Sequence, residues 1–143
     1  MTALEVSEGI LILACVLVLF LLIWLWVRRR LLASRYSLSI GAVRTPGSPL
    51  WRLGLLRLGS SGLEWFSLVG ITTRPRYRWE RRGLDVSTPQ GEVDIPGLHG
   101  AVEVHLHHDD GARLADLALD VGVYTALRSW LESAPPGRGV NVA

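Results

Sequence analysis

Apolar and polar positions along this chain fall into three successive patterns. Residues 10–27 read ILILACVLVLFLLIWLWV, 18 consecutive apolar residues. At 1.5 Å per residue such a run spans about 27 Å, enough for the hydrocarbon core of a bilayer. It has no polar face, so it predicts a membrane-spanning helix rather than the surface helix of a soluble domain. From residue 36 the period falls to two. Segments 36–40, 51–58, 63–68, 76–79, 84–88, 102–107 and 115–119 are predicted strands. Gly59-Ser60-Ser61-Gly62 and Asp109-Asp110-Gly111 have turn chemistry between them, and 45–49 is a loop by its Pro and Gly content. In the third pattern Val123, Leu127, Trp130 and Leu131 share one helical face. Asp120 supplies an N-cap, and Pro135-Pro136 stops the helix.

The order is therefore one transmembrane helix, about seven short strands and one amphipathic helix. A small sheet needs a cover for its apolar face, and a C-terminal helix carrying a Trp is a natural plug. We expect a small α+β domain, mainly antiparallel β. Its architecture would be a pleckstrin-homology-like bent sheet or partly open barrel capped by the C-terminal amphipathic helix. A sheet with a flanking helix is the alternative. The expected divisions are an extracytoplasmic N-terminus at 1–9, the transmembrane helix at 10–27 and a basic juxtamembrane connector at 28–35. The cytoplasmic domain follows at 36–134 and a flexible tail at 135–143.

The flanks of the apolar run orient it. Trp24 and Trp26 suit the membrane interface, and Arg28, Arg29 and Arg30 follow at once, whereas only Glu5 and Glu8 are charged before it. The positive-inside rule puts the N-terminus outside and the C-terminal domain in the cytoplasm of a plasma-membrane protein. A cleaved signal peptide would need a basic start, which is absent. Cys15 follows Ile-Leu-Ala, but twelve more apolar residues after it disfavour a lipoprotein box.

Composition changes the picture in two ways. All 15 basic side chains are Arg and there is one Cys. Lysine chemistry (Schiff bases, P-loops, kinase-type sites), disulfide frameworks and Cys-based zinc sites are thereby excluded. The formal charge of +2 also conceals a strong asymmetry. Residues 1–27 hold two acids and no base. Residues 28–82 hold twelve arginines against Glu64 and Glu80, and residues 83–143 hold three arginines against nine acids.

Particular residues also point to a family. Trp51-Arg52-x-Gly54, Arg57, Leu63-x-Trp65-Phe66, Pro75, Trp79-x-Arg81-Arg82 and Leu84-x-Val86 carry the resemblance in the middle of the chain. Leu117-Ala-Leu-Asp120 and Leu127-x-x-Trp130-Leu-Glu-Ser-Ala-Pro-Pro-Gly137 carry it at the end. The pattern resembles an actinobacterial membrane-anchored family, domain of unknown function 2550. The resemblance implies a single-pass membrane protein with a small cytoplasmic domain.

The stretch with the most chemistry is 72–82. If 74–79 is extended, Arg74, Arg76 and Arg78 share one face and Tyr77 and Trp79 the other. With Arg81 and Arg82 they form a candidate lipid- or phosphate-binding surface. Pro75 makes this an edge strand, or one that begins after the proline. A solvated face that resists edge pairing is the competing reading. Nucleic acid is not expected, because the aromatics would point away from the arginines. His105 and His107 share an outward face, but no third ligand is fixed, so no metal is expected. No spacing marks a catalytic pair, and Trp51, Trp65, Trp79 and Trp130 read as core fillers.

The resulting expectation is a non-enzymatic membrane protein without a cofactor. It would display a binding or adaptor domain whose partner is anionic lipid head groups. The alternative is a structural subunit or assembly factor of a membrane protein complex. Orientation is open to a direct check in a Cys15→Ser background. An impermeant thiol reagent added to intact cells should label Thr2→Cys and spare Asn141→Cys; the reverse pattern would overturn the cytoplasmic assignment.

Overall fold

The structure, a computed structural model, describes residues 2–33 and 38–133. The chain divides into two compact units, Met1–Arg35 and Tyr36–Ala143. In the first, one helix, α1, runs over Ala3–Ala33. It is long and apolar enough to cross a membrane, and its side chains from Ile10 to Ile23 are exposed on every face. It starts with Glu5 accepting from the Thr2 N–H at 2.9 Å. It continues past the apolar run, and Arg30 lies over the Trp26 ring at 5.3 Å, one helical turn back.

The second unit contains eight strands and one helix. In chain order the strands are β1 (Leu38–Arg44), β2 (Arg52–Leu58), β3 (Gly62–Ser67), β4 (Tyr77–Glu80), β5 (Leu84–Val86), β6 (Gly91–Ile95), β7 (Leu98–His108) and β8 (Arg113–Leu119). Helix α2 is Val121–Glu132. All pairings are antiparallel, in the order β4-β3-β2-β1-β8-β7-β5, with β6 beside the first half of β7. The first and last strands pair with each other, so the meander curls into a half-barrel that stays open between β4 and β5. This is the expected bent sheet with a C-terminal helix.

Sequence patterning missed one strand and misplaced several ends. The missed strand is β6. Its Val93 and Ile95 alternate with Glu92 and Asp94, but Pro89, Gly91 and Pro96 around it mimic a loop. Pro96-Gly97 is in fact its hairpin turn, with Ile95 opposite Leu98 and Gly97 at φ 88°. β1, whose expected start at Tyr36 lies outside the described residues, runs on past Ile40 through Gly41 to Arg44. β4 begins at Tyr77, after Pro75 and at the sheet edge, because a proline supplies no ladder N–H. Residues 134–143, including Pro135-Pro136, lie outside the described residues, as do 34–37.

The concave face holds the main core: Val43, Leu56, Leu63, Trp65, Val104, Leu106, Leu117 and Leu119, closed by Leu84 and Val86 of β5. Trp65 fits flat against β2 because Gly54 has no side chain. A Cβ there would sit 2.4 Å from the indole. The convex face carries a smaller cluster of Ala42, Ala101 and Ala118 under Ile95 and Leu98, with Trp51 and Leu53 at its margin. β8 therefore has a continuous buried run, Ala115–Leu119, instead of simple alternation.

Helix α2 begins where expected. The Asp120 carboxylate accepts from the Gly122 N–H at 2.8 Å. Leu127 is fully buried, and Val123, Tyr124, Trp130 and Leu131 pack on the main core. The Trp130 indole N–H donates to the Gly59 carbonyl at 3.0 Å, which anchors the helix at the β2–β3 turn. Leu127→Ala should cost about 2–5 kcal/mol of stability. Val121→Ala, at an exposed position of the same helix, should change stability by under about 0.5 kcal/mol. Urea unfolding of the full chain in detergent, followed by tryptophan fluorescence, compares them. Equal losses would mean that α2 does not seal the core.

Candidate functional site

Two charged regions stand out, and only one was foreseen. The first is the arginine stretch at the sheet edge. Because β4 begins at Tyr77, Arg74 and Arg76 precede the strand instead of lying on its face, a correction to the expected three-arginine row. The Arg76 N–H still donates to the Trp65 carbonyl at 2.8 Å, so the chain follows β3 from that point. Tyr77 and Trp79 turn inward as expected. Their rings stack at 5.8 Å, and Tyr77 meets Trp65 at 5.6 Å.

The five arginines then divide. Arg78 lies directly across from Glu64, whose carboxylate is already held by Arg57 at 2.5 Å. Arg78 reaches that carboxylate at 3.9 Å and donates to the Ser61 hydroxyl at 3.0 Å. Arg81 turns into the domain, a second correction. Its guanidinium lies over the Trp130 ring at 4.7 Å and donates to the Trp130 carbonyl and to the Ser133 hydroxyl. It thus fastens the C-terminal end of α2, where carbonyls lack intrahelical partners. Arg74, Arg76 and Arg82 are exposed and, among the described residues, bind no carboxylate. Arg78 and Arg82, with Ser61 and Glu80, line an open hollow of about 450 Å³.

Trp24, Trp26, Arg28, Arg29 and Arg30 all lie within α1, so the anticipated connector is helical through Ala33. Trp24 and Trp26 are exposed.

The second region was not anticipated. Lateral register places Arg44 of β1, Asp116 of β8 and His105 of β7 in one row across the convex face. Asp116 is 3% exposed. One of its oxygens accepts from Arg44 Nε at 3.0 Å and Nη2 at 2.8 Å. The other accepts from Arg113 Nε at 2.7 Å and lies 2.9 Å from His105 Nδ1. Arg44 also pairs with Glu103 at 2.5 Å and covers Trp51 at 4.4 Å. An open cavity of about 390 Å³ borders Arg44, Arg113, Asp116 and the 45–49 loop.

Burial acts to raise the Asp116 pKa. Hydrogen bonds from Arg44, Arg113 and His105, with the Arg113 charge, outweigh it and hold the carboxyl below its ordinary value of 3.8.

Glu103, His105 and Asp116 place three donor atoms within 4.8 Å of one another. Two guanidiniums already occupy the carboxylates, so a divalent ion would meet like charge. The arrangement is that of an ion-pair lock. His107 takes no part in it; its ring meets His105 edge-on at 6.2 Å. Sequence gave one usable signal, a lone acid inside the apolar run Ala115–Leu119. Arg44 is 72 positions away and nothing local couples it to that acid.

The lock has a definite pH dependence. Asp116 has a lowered pKa in the folded state, so its contribution is complete above the unfolded value and is lost as pH falls through the folded one. Asp116→Asn should therefore cost about 1.5–3 kcal/mol at neutral pH, and the gap to the parent should close below the ordinary value of 3.8. Urea titrations across that range would show it. A gap independent of pH would mean that Asp116 does not act through its charge.

A family model described as "Protein of unknown function (DUF2550)" matches residues 11–137, from the apolar helix through α2. The chain is 32% identical over 93 residues to Uncharacterized protein Rv1312 of Mycobacterium tuberculosis (strain H37Rv), covering 62% of this chain and 63% of that protein. It is 31% identical, over the same shares, to Uncharacterized protein ML1147 of Mycobacterium leprae. The match thus spans under two thirds of these relatives' length. No solved structure matches.

Proposed function

We propose that this protein, which belongs to the DUF2550 family, is a single-pass membrane protein whose C-terminal domain binds anionic lipid head groups at the cytoplasmic face. The observation that carries this reading is the set of exposed arginines, Arg74, Arg76 and Arg82, that take no carboxylate partner among the described residues, beside the half-engaged Arg78. Guanidinium groups bind phosphate oxygens in bidentate fashion, and a basic group at an anionic surface contributes about 1 kcal/mol. An apolar helix on the same chain holds the domain at high local concentration near such a surface. The two hollows described above, beside Arg44 and beside Arg78, are both open to solvent.

The alternative is a structural subunit or assembly factor of a membrane complex. It draws on the apolar helix, exposed around its whole circumference, which has room for partner helices.

The test uses the full chain in nanodiscs. Hydrogen exchange over residues 74–82 should slow in discs containing phosphatidylglycerol relative to neutral discs, and the difference should vanish at high salt. Three head-group contacts at about 1 kcal/mol each correspond to a roughly 100-fold shift of the docked state, which the triple variant Arg74→Gln/Arg76→Gln/Arg82→Gln should abolish. Identical exchange in both lipids would rule out head-group binding. A stoichiometric protein that stays bound in detergent at high salt would favour the complex instead.

A further inference from the structure

The loop that precedes these arginines is apolar at its tip. Leu68, Val69 and Ile71 lie between β3 and β4 and are 40%, 81% and 81% exposed. Leu50, at the end of the β1–β2 loop, is 69% exposed. Topology brings the two loops together. Arg52 of β2 pairs with Val43 of β1, and Gly54 of β2 pairs with Ser67 of β3. Both loops therefore leave the sheet at the start of β2. Helix α2 is anchored at the other end of that strand, on Gly59.

Single exposed apolar residues are ordinary on a protein surface. Three large ones within four positions, beside a fourth on the neighbouring loop, are a concentrated patch. Its rim is basic. Arg52, Arg74 and Arg76 are exposed around it. The exposed acids Asp109 and Asp110 lie toward the opposite end of β2, since the Asp109 N–H donates to the Gly83 carbonyl and the Arg81 N–H to the Ser61 carbonyl. Asp94, next to Ile95 on the convex side, is paired with His99 at 2.9 Å. An apolar tip ringed by guanidiniums is complementary to one surface in particular, an anionic bilayer. There the head groups meet the arginines and the acyl region just below takes the aliphatic side chains.

We propose that Leu68, Val69 and Ile71, flanked by Leu50, insert into the interfacial layer of an anionic bilayer as a hydrophobic wedge. This inference rests on the head-group reading above and adds to it a depth and an orientation. The domain docks by the start of β2 and the β4 edge, with α2 turned away. Gly70 between Val69 and Ile71 keeps the tip slim.

The experiment places an environment-sensitive nitrobenzoxadiazole label on Val69→Cys or Ile71→Cys, in a Cys15→Ser background of the full chain. An Ala126→Cys control on α2 carries the same label. In nanodiscs with phosphatidylglycerol, emission from positions 69 and 71 should shift to shorter wavelength and be quenched by nitroxides on the acyl chains. Position 126 should behave as in water. Val69→Asp/Ile71→Asp, probed by a label at Leu68→Cys, should abolish the shift while circular dichroism stays that of the parent.

The outcomes separate the two claims. If labels at 69 and 71 report water while arginine-dependent exchange protection persists, the wedge is overturned and head-group binding stands. If the labels insert equally in neutral discs, the wedge stands and the arginine reading falls. A shift in detergent that follows protein concentration assigns the patch to a second copy of the chain and overturns the wedge.

Discussion

One carboxylate, that of Asp116, sits where the two ends of the domain meet. β8 is the last strand and β1 the first, and their pairing turns an open meander into a curled half-barrel. The register of that junction and of β8 with β7 sets Arg44, Asp116 and His105 side by side. A one-residue slip would carry Asp116 into the apolar concave face and Leu117 out of it. Burying a charge without partners is far more costly than exposing a leucine, so the ion pair selects the register more strongly than it adds stability. Everything downstream inherits this choice. Asp120, one residue past β8, starts α2 at a fixed point, so α2 meets the β2–β3 turn and the loops at the start of β2 stay uncovered.

The convex face shows a second consequence. Ala42 of β1, Ala101 of β7 and Ala118 of β8 lie on the convex face, where larger side chains would hold off the β6–β7 hairpin. Ile95 and Leu98 fill the space these alanines leave. A domain of this size gains from burying both faces of its central strand, because its surface is large relative to its core. Trp65 and Trp130 extend the same economy on the concave side, each bringing a large apolar area with few rotatable bonds.

Much of this was legible from local pattern. The hairpin at Gly59–Gly62, the turn at Gly111, the Asp120 cap and the stripe of Val123, Leu127, Trp130 and Leu131 depend on residues within a few positions of each other. Local chemistry settles them. Where the sequence misled, the decisive partner was remote. β6 is a strand because β7 offers it a ladder, and its own prolines and glycines disguise it. Arg81 belongs to α2 because Trp130 is close in space, 49 positions along the chain. A run of alternating arginines cannot reveal that one of them is already engaged. The Arg44–Asp116 row is hidden for the same reason.

A lysine-free chain makes guanidinium serve two purposes, and the structure separates them. Arg44 lies over Trp51, Arg57 over Phe66 and Arg81 over Trp130, and each also holds a carboxylate or a carbonyl. A planar cation can stack on a ring and still direct its donors sideways, which an ammonium cannot do as well. These three are internal fasteners, and substituting lysine would lose the stacking as well as the fork. Arg74, Arg76 and Arg82 have, among the described residues, neither ring nor acid. They stay exposed to water, so their donors are available to an outside anion. Proximity in sequence placed Arg81 with them; its contacts place it with the fasteners. The binding surface is therefore narrower than the arginine run suggests: Arg74 and Arg76 lie at the loop end of β4, next to the apolar tip, and Arg82 follows the other end of the strand.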